Sequence, residues 1–372
     1  MKKTLIAVAV SAATLTAFGA NADTLATAQA NDSNLAGTSL YNQDGNNISV
    51  KGRIEARLKT TDGKSNDASR ARLGFGGTSV INDKLYGLGY FETEYTANDS
   101  DGVQDSNSTT QTVRLAYAGL GGKFGQVVYG KTNGSASQVT DFTDIMWSFG
   151  GNVSQKLEAS DRPSNDLAYS GSFKDLTFKA NYRFADQSGT TPASNDADGY
   201  STSAVYNIGA TGVKVGAGYE NQNKSHKYTL ATGYTIGNVY VGGLYTDGDL
   251  NYGPTTGATA GEQAGSDSFV AQSHFTGVEE YKAYELAASY TMGKTSFTTT
   301  YNKAKVGDQD AMNLIGVEAA YAFTSNFRTY LGYNFNLLDE GDALGDSSVG
   351  ATSTVTKAEA SDQAMLGLRY DF

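Results

Sequence analysis

In the stretch Ile48-Ser-Val-Lys-Gly-Arg-Ile-Glu-Ala-Arg-Leu-Lys59, small or apolar residues alternate with charged residues over most of the length. Successive side chains of an extended strand point to opposite faces, so this stretch would have one apolar and one charged face. The apolar face would carry Val50, Gly52, Ile54, Ala56 and Leu58, and the charged face Lys51, Arg53, Glu55, Arg57 and Lys59. The pattern therefore predicts a β-strand that separates an apolar environment from water.

The same alternation returns along the rest of the chain, for example at Leu366, Leu368, Tyr370 and Phe372 in the last stretch. It predicts sixteen strands, at about 48–59, 69–81, 84–97, 110–121, 124–131, 165–173, 176–186, 199–208, 212–222, 225–236, 239–248, 280–292, 295–304, 312–323, 326–337 and 361–372.

The links between these strands are alternately short and long. The short links lie at 82–83, 122–123, 174–175, 209–211, 237–238, 293–294 and 324–325. The long links include 98–109, 132–164, 187–198, 249–279 and 338–360, with a short exception near 223–224. Successive links of an up-and-down barrel lie at opposite ends, so one end would carry tight turns and the other end loops, as in outer-membrane barrels.

The apolar faces must point either into the barrel or out of it, and the residue pattern of a single strand is the same in both cases. A barrel of sixteen strands encloses a space too wide for side chains to fill, so the apolar faces are expected to meet lipid and the polar faces a water-filled lumen. Aromatic residues such as Tyr95, Tyr290 and Phe323 recur near strand ends, where the membrane interfaces would lie. The expected fold is all-β, a 16-stranded antiparallel transmembrane β-barrel.

Composition excludes several other classes of protein. The chain has no cysteine, so disulfides, thiol nucleophiles and thiolate metal sites are excluded. Its two histidines, His226 and His274, stand in no catalytic or metal-binding motif. We therefore expect no cofactor, no metal and no enzymatic activity.

Residues 1–22 are expected to form a signal peptide, with Lys2 and Lys3 before an apolar core and Ala20-Asn21-Ala22 at the cleavage site. Removing Lys2 and Lys3 takes the formal net charge from −11 to −13. So acidic a chain outside the cytoplasm is a poor candidate for nucleic-acid binding. Residues 23–47 form an N-terminal extension without periodicity, which favours a flexible periplasmic tail; the alternative is a segment that enters and narrows the lumen.

Several short pieces of the chain carry a resemblance to a known family. They are Ala71-Arg-Leu-Gly-Phe75, Arg114-Leu-Ala-Tyr-Ala-Gly-Leu120, Asp141-Phe-Thr-Asp-Ile-Met146, Asn336-Leu-Leu-Asp339 and Leu368-Arg-Tyr-Asp-Phe372. In this order and spacing, over residues 48–372, the chain resembles the Gram-negative general diffusion porins. The resemblance implies a homotrimeric outer-membrane channel for small hydrophilic solutes and ions, in which the third long loop, 132–164, folds inward and narrows the pore.

The resemblance also implies roles for individual residues. The basic wall of the constriction maps to Arg53, Arg72, Arg114 and Arg162, and the acidic loop to Asp141 and Asp144. The next acidic position of the family corresponds to Ser148, so the field across the pore is expected to be weaker or differently shaped. Other lumen charges are expected at Lys51, Glu55, Arg57, Glu92, Glu94, Lys179, Arg183 and Arg328.

Partners follow from the resemblance as well. Tyr370 and the terminal Phe372 match the signal that the outer-membrane assembly machinery reads, and lipopolysaccharide and outer-membrane lipid are expected around the barrel.

From the net charge we expect modest selectivity for cations. Two alternatives remain open: a substrate-specific channel for sugars, and an adhesin or receptor that binds through its external loops.

Overall fold

The computed structural model describes residues 24–97, 109–151, 153–185, 198–252, 274–275, 277–344 and 354–372. The expected signal peptide, 1–22, lies outside the described residues, as do most of the expected long links 98–109 and 187–198 and the middle of 249–279 and 338–360. Among the described residues, no helix combines the length and the apolar character needed to cross a bilayer.

The described chain consists mainly of strands. They are β1 (Thr38–Gln43), β2 (Asn46–Thr61), β3 (Lys64–Asp67), β4 (Arg70–Asn82), β5 (Leu85–Ala97), β6 (Thr109–Gly122), β7 (Gly125–Lys131), β8 (Asp166–Phe173), β9 (Leu176–Arg183), β10 (Gly199–Asn207), β11 (Val213–Gln222), β12 (Ser225–Ile236), β13 (Val239–Asn251), β14 (Val278–Met292), β15 (Thr295–Val306), β16 (Gln309–Ala322), β17 (Phe327–Asn336) and β18 (Gln363–Asp371). The helices are α1 (Thr24–Asn31), α2 (Ser137–Thr140) and the 3-10 turns Ser33–Leu35 and Glu158–Ser160.

Sixteen of these strands, β2 and β4 to β18, form one closed antiparallel barrel. The last strand pairs with the first, from Gln363 opposite Thr61 to Asp371 opposite Arg53. Closure pairs the backbone groups of every wall strand on both sides, which a sheet in lipid requires. The predicted sixteen-stranded barrel is confirmed, and the short strands β1 and β3 are additions that pair with the two ends of β2.

One end of the barrel carries tight turns, as predicted. Gly237 and Gly293 occupy two of them with φ near +60°, a conformation that glycine adopts without steric cost. The other end carries the longer links, but β15 and β16 are joined there by a tight turn at 307–308. The prediction ended β15 too early, at 304, and began β16 too late, at 312, because the pairing has an irregularity near Ala304 and Lys305 that interrupts the alternation.

The outer face of the wall is apolar. Leu286, Leu331 and Leu366 point outward with about half of their surface exposed, at 56%, 57% and 49%. Side chains of this size are normally buried in a protein surrounded by water, and their rows around the barrel match a band that faces lipid. The predicted outward orientation of the apolar faces is confirmed.

The inner face is not polar everywhere. Tyr281, Met312 and Leu314 are buried on strands β14 and β16 near the long-loop end, in an apolar cluster. Val153 and Leu157 from the 132–165 link contribute to this cluster, together with Leu338, Leu344 and Val355 from the link before β18. The expected polar interior therefore has an apolar exception at this end, because these links supply apolar partners that replace water.

The N-terminal segment 24–36 is packed against the wall. Ala28 and Leu35 are buried among the inward-facing Tyr86, Leu88 and Tyr90 of β5. The side-chain amide of Asn31 donates to the Tyr86 hydroxyl and to the Gly122 carbonyl, both at 3.1 Å. The expected flexible tail is therefore wrong for residues 24–36, since a few apolar contacts and amide hydrogen bonds fix a segment that has no periodicity of its own.

Candidate functional site: charges inside the barrel

The pairing register brings charged residues of neighbouring strands together on the inner wall. Arg53 of β2 lies opposite Arg72 of β4, and Arg72 lies opposite Glu94 of β5. A bulge in β6 leaves Arg114 without a direct cross-strand partner, and bulges commonly redirect a side chain in this way. Three of the four predicted basic-wall residues, Arg53, Arg72 and Arg114, therefore share one patch of wall.

These arginines are paired with the two predicted lumen glutamates of β5. The Arg114 Nε atom lies 2.8 Å from Glu92, and an Arg72 Nη atom lies 2.5 Å from Glu94. Arg53 lies 3.2 Å from Glu55 and 4.0 Å from Glu94. The wall is thus a mixed ion-pair network, which presents less net positive charge than an isolated arginine cluster would.

Two further arginines complete this network and were not predicted as wall residues. Arg70 lies 2.5 Å from Glu55, and Arg369 lies 3.5 Å from Glu55 and 2.6 Å from Asp371. The side chain of Glu55 has no exposed surface. The alternation contained the signal for both, because Arg70 is two residues from Arg72 and Arg369 lies on the polar face of the last strand.

Arg162 is the predicted basic-wall residue that takes a different place. It belongs to the 132–165 link and forms an ion pair with its neighbour Asp161 at 2.7 Å, rather than with Glu92 or Glu94. Lys156 joins the same carboxylate at 2.9 Å. The predicted position of Arg162 rested on the resemblance alone, because a loop residue belongs to no alternating pattern that would fix the direction of its side chain.

The 132–165 link forms hydrogen bonds with side chains of several strands of the wall. The Ser135 hydroxyl contacts Ser201 of β10 at 2.6 Å, and the Tyr240 hydroxyl of β13 donates to the Phe142 carbonyl at 2.7 Å. Tyr281 of β14 donates to the Val153 carbonyl at 2.7 Å. In the order of the strands around the barrel, these contacts lie on the side away from β4 and its arginines.

Asp141 and Asp144 are solvent-exposed side chains on this link. Asp144 accepts a hydrogen bond from the Gly151 amide at 2.9 Å. Reduced contact with bulk water raises the pKa of both carboxyls above the usual range, and the positive charge of Lys156 opposes this shift. Their exposure leaves both predicted loop acids accessible from the space inside the barrel.

The residues 146–149, which we call the tip of the link, are fixed to β16 and β17. Buried Glu318 accepts from the Trp147 amide at 3.0 Å and from the amide and hydroxyl of Ser148, both at 2.6 Å. Gly332 lies directly beneath, where an added Cβ would be only 2.0 Å from the Ser148 hydroxyl. Glu318 was not predicted, although it lies within the predicted strand 312–323, because nothing in its own strand indicates that a loop supplies its donors.

Trp147 also contacts two arginines of the wall. The guanidinium carbons of Arg328 and Arg369 lie 4.1 Å and 5.0 Å from the centre of its ring. Such cation–π contacts contribute about 0.5–2 kcal/mol each, depending on solvent exposure. The tip is therefore held both by hydrogen bonds to Glu318 and by cation–π contacts of Trp147.

The other predicted lumen charges are distributed around the interior. The Lys51 ammonium donates to the Ser33 carbonyl at 3.3 Å, and Arg57 donates to the Ser148 carbonyl at 3.1 Å. Lys179 lines a small cavity between β9 and the N-terminal segment, and Arg183 is buried at the long-loop end of the same strand.

The two residues of the predicted assembly signal lie at the seam of the barrel. Phe372 exchanges two backbone hydrogen bonds with Gly52, at 2.8 and 3.0 Å. Its ring lies 6.2 Å from that of Tyr370. Both residues therefore lie where the last strand closes the barrel, and this structural role is compatible with recognition by the assembly machinery.

Comparisons with known proteins agree with this architecture. A model of the Gram-negative porin family matches residues 7–341. Outer membrane protein U of Vibrio parahaemolyticus is 44% identical over 379 residues, and that of Vibrio vulnificus is 46% identical over 380 residues, with 100% of both chains covered in each case.

Solved structures are similar as well. OmpF of Salmonella typhi, in complex with daunomycin, aligns with a TM-score of 0.70 at 24% identity, covering 90% of this chain and 100% of that one. The trimer form of OmpT, an outer membrane protein of Vibrio cholerae, aligns with a TM-score of 0.64 at 19% identity, covering 88% and 100%. At these identities the two structures support the fold alone.

Proposed function

The chain belongs to the Gram-negative porin family, and from this we infer that it is a passive diffusion channel for small hydrophilic solutes and ions. It is an outer-membrane β-barrel, and its family and fold indicate a channel rather than an enzyme. The resemblance predicted from the sequence is confirmed. The residues that control passage, and the selectivity, are our proposal.

We propose that the pore is narrowest between the link 132–165 and the wall patch of Arg53, Arg72 and Arg114. The single observation that supports this most strongly is the course of the link, whose hydrogen bonds follow the inner wall from β10 to β16. A solute would then pass between the exposed Asp141 and Asp144 on one side and the paired arginines on the other. Arg162 would add its charge from the link itself.

We further propose a modest preference for cations. The mature chain is acidic, and each of the three wall arginines has a carboxylate partner within 4 Å. The preference should shrink as salt is added, because the Debye length falls from about 10 Å at 0.1 M to about 3 Å at 1 M.

The partners of the channel are also proposals. A trimer form is known for the OmpT structure, and we propose that this chain is a homotrimer. Lipopolysaccharide and outer-membrane lipid would contact the exposed apolar band, and the assembly machinery would read Tyr370 and Phe372.

Liposome swelling with uncharged sugars of increasing size tests the proposed function. Protein-containing liposomes should swell at rates that fall smoothly with sugar size, without saturation, because a wet pore selects neutral solutes by their dimensions. Protein-free liposomes are the control. Saturable uptake of one sugar would indicate a substrate-specific channel instead, and absence of uptake would favour the adhesin or receptor.

A further inference from the structure

Trp147 is the single tryptophan of the chain, and it lies at the tip of the link, against the side chains of two neighbouring arginines. The family resemblance gives it no role, and Ser148 beside it carries no charge. Its surroundings therefore need a physical explanation of their own.

Each of the two guanidinium groups has a carboxylate partner as well as the indole ring. Arg369 and Arg328 both donate to Asp371, at 2.6 Å and 3.3 Å. Carboxylates bind the edge of a guanidinium group, where the N–H bonds point, and leave its flat face available. In both arginines the indole of Trp147 lies against the group in addition to this carboxylate.

We propose that Trp147 is a specificity-determining residue of the pore, which covers two wall arginines and reduces their attraction for anions. This inference rests on the proposed function. An anion can approach an uncovered guanidinium group to direct contact, whereas a ring over the group keeps the anion several ångströms further from the positive charge, and Coulomb attraction falls with distance. Covering Arg328 and Arg369 would shift the ion selectivity of the pore towards cations.

The backbone that carries the ring is fixed independently of Arg328 and Arg369. Glu318 binds the backbone amides of Trp147 and Ser148, and Gly332 leaves the space beneath the tip. A different side chain at 147 should therefore leave the tip in place while it uncovers the arginines. This separates an effect on selectivity from an effect on the position of the link.

The test is the potassium-to-chloride permeability ratio, from reversal potentials of the purified protein in planar bilayers under a potassium chloride gradient. Trp147→Leu should lower the ratio by roughly two- to threefold, because both guanidinium faces are uncovered. Trp147→Phe, which keeps an aromatic face, should retain most of the wild-type ratio. Arg328→Met removes one positive charge and should raise the ratio, and in its background Trp147→Leu should have a smaller effect.

A second measurement uses the tryptophan itself. Acrylamide quenching of fluorescence in detergent micelles reports on this one residue, and it should increase in Arg328→Met because one covering group is lost. A wild-type permeability ratio in Trp147→Leu, in a protein that conducts normally, would overturn the inference and leave the proposed function intact. Unchanged quenching in Arg328→Met would contradict the contact between Trp147 and Arg328. A wild-type protein that does not conduct would refute both the inference and the proposed function.

Discussion

Replacing Glu92 and Glu94 together with glutamine should change the proposed preference of the channel for cations into a preference for anions. The two carboxylates are ion-paired with Arg114 and Arg72, and Glu94 also lies 4.0 Å from Arg53. Glutamine keeps the size of each side chain but removes two negative charges from the centre of the network. The arginines would then act on passing ions with little compensation, and their field in a narrow aqueous pore attracts anions. Reversal potentials under a salt gradient measure the change of sign.

A matched control removes two negative charges elsewhere. Glu280 and Glu340 are exposed near the long-loop end, and Glu280→Gln with Glu340→Gln should leave the sign of selectivity unchanged. The effect of the lumen variant should also diminish in concentrated salt, where the Debye length is about 3 Å. If the lumen variant stays as cation-selective as the wild type, the network does not control ion passage and that part of the proposal fails.

Removing residues 24–36 should raise the single-channel conductance. The segment contains α1 and packs on the inward-facing Tyr86 and Tyr90, within the space that ions would use. A helix with its side chains is about 10 Å across, so its removal should increase the conductance by roughly one and a half to twofold. Single-channel recordings in symmetrical salt measure the change directly.

Two controls distinguish this effect from general damage to the barrel. Leu40→Ser changes the exposed strand β1 and should leave the conductance at its wild-type value. Asn31→Ala removes the amide that donates to Tyr86 and Gly122, and it should give an intermediate or fluctuating conductance. A truncated protein with wild-type conductance would show that the segment lies outside the conducting path.

The strands of the wall could be predicted from the sequence because each one separates lipid from a charged interior. That physical contrast gives alternation at every second residue, and all sixteen wall strands were found by it. The short strands β1 and β3 have no such contrast, since most or all of their residues are exposed. The packing of segment 24–36 could not be predicted, because it depends on tyrosines of another strand, Tyr86 and Tyr90.

The candidate site was predictable only in part. Arg53 and Arg72 lie in regular strands, so their direction followed from the alternation, as it would have for Arg70 and Arg369. The position of Arg162 and the contacts of Trp147 depend on the path of a long link, which alternation does not describe. The apolar cluster around Met312 was missed for the same reason, because its partners come from links that are distant in the sequence.

The central claim is that side chains of the wall point alternately into lipid and into water, and two adjacent residues of the first quoted stretch test it. The chain has no cysteine, so Arg53→Cys and Ile54→Cys each introduce a single thiol. In membranes, a charged water-soluble thiol reagent should label Cys at position 53 and change the current through the pore, while Cys at position 54 stays unlabelled until the protein is denatured. Labelling at position 54 with protection at position 53 would contradict the account.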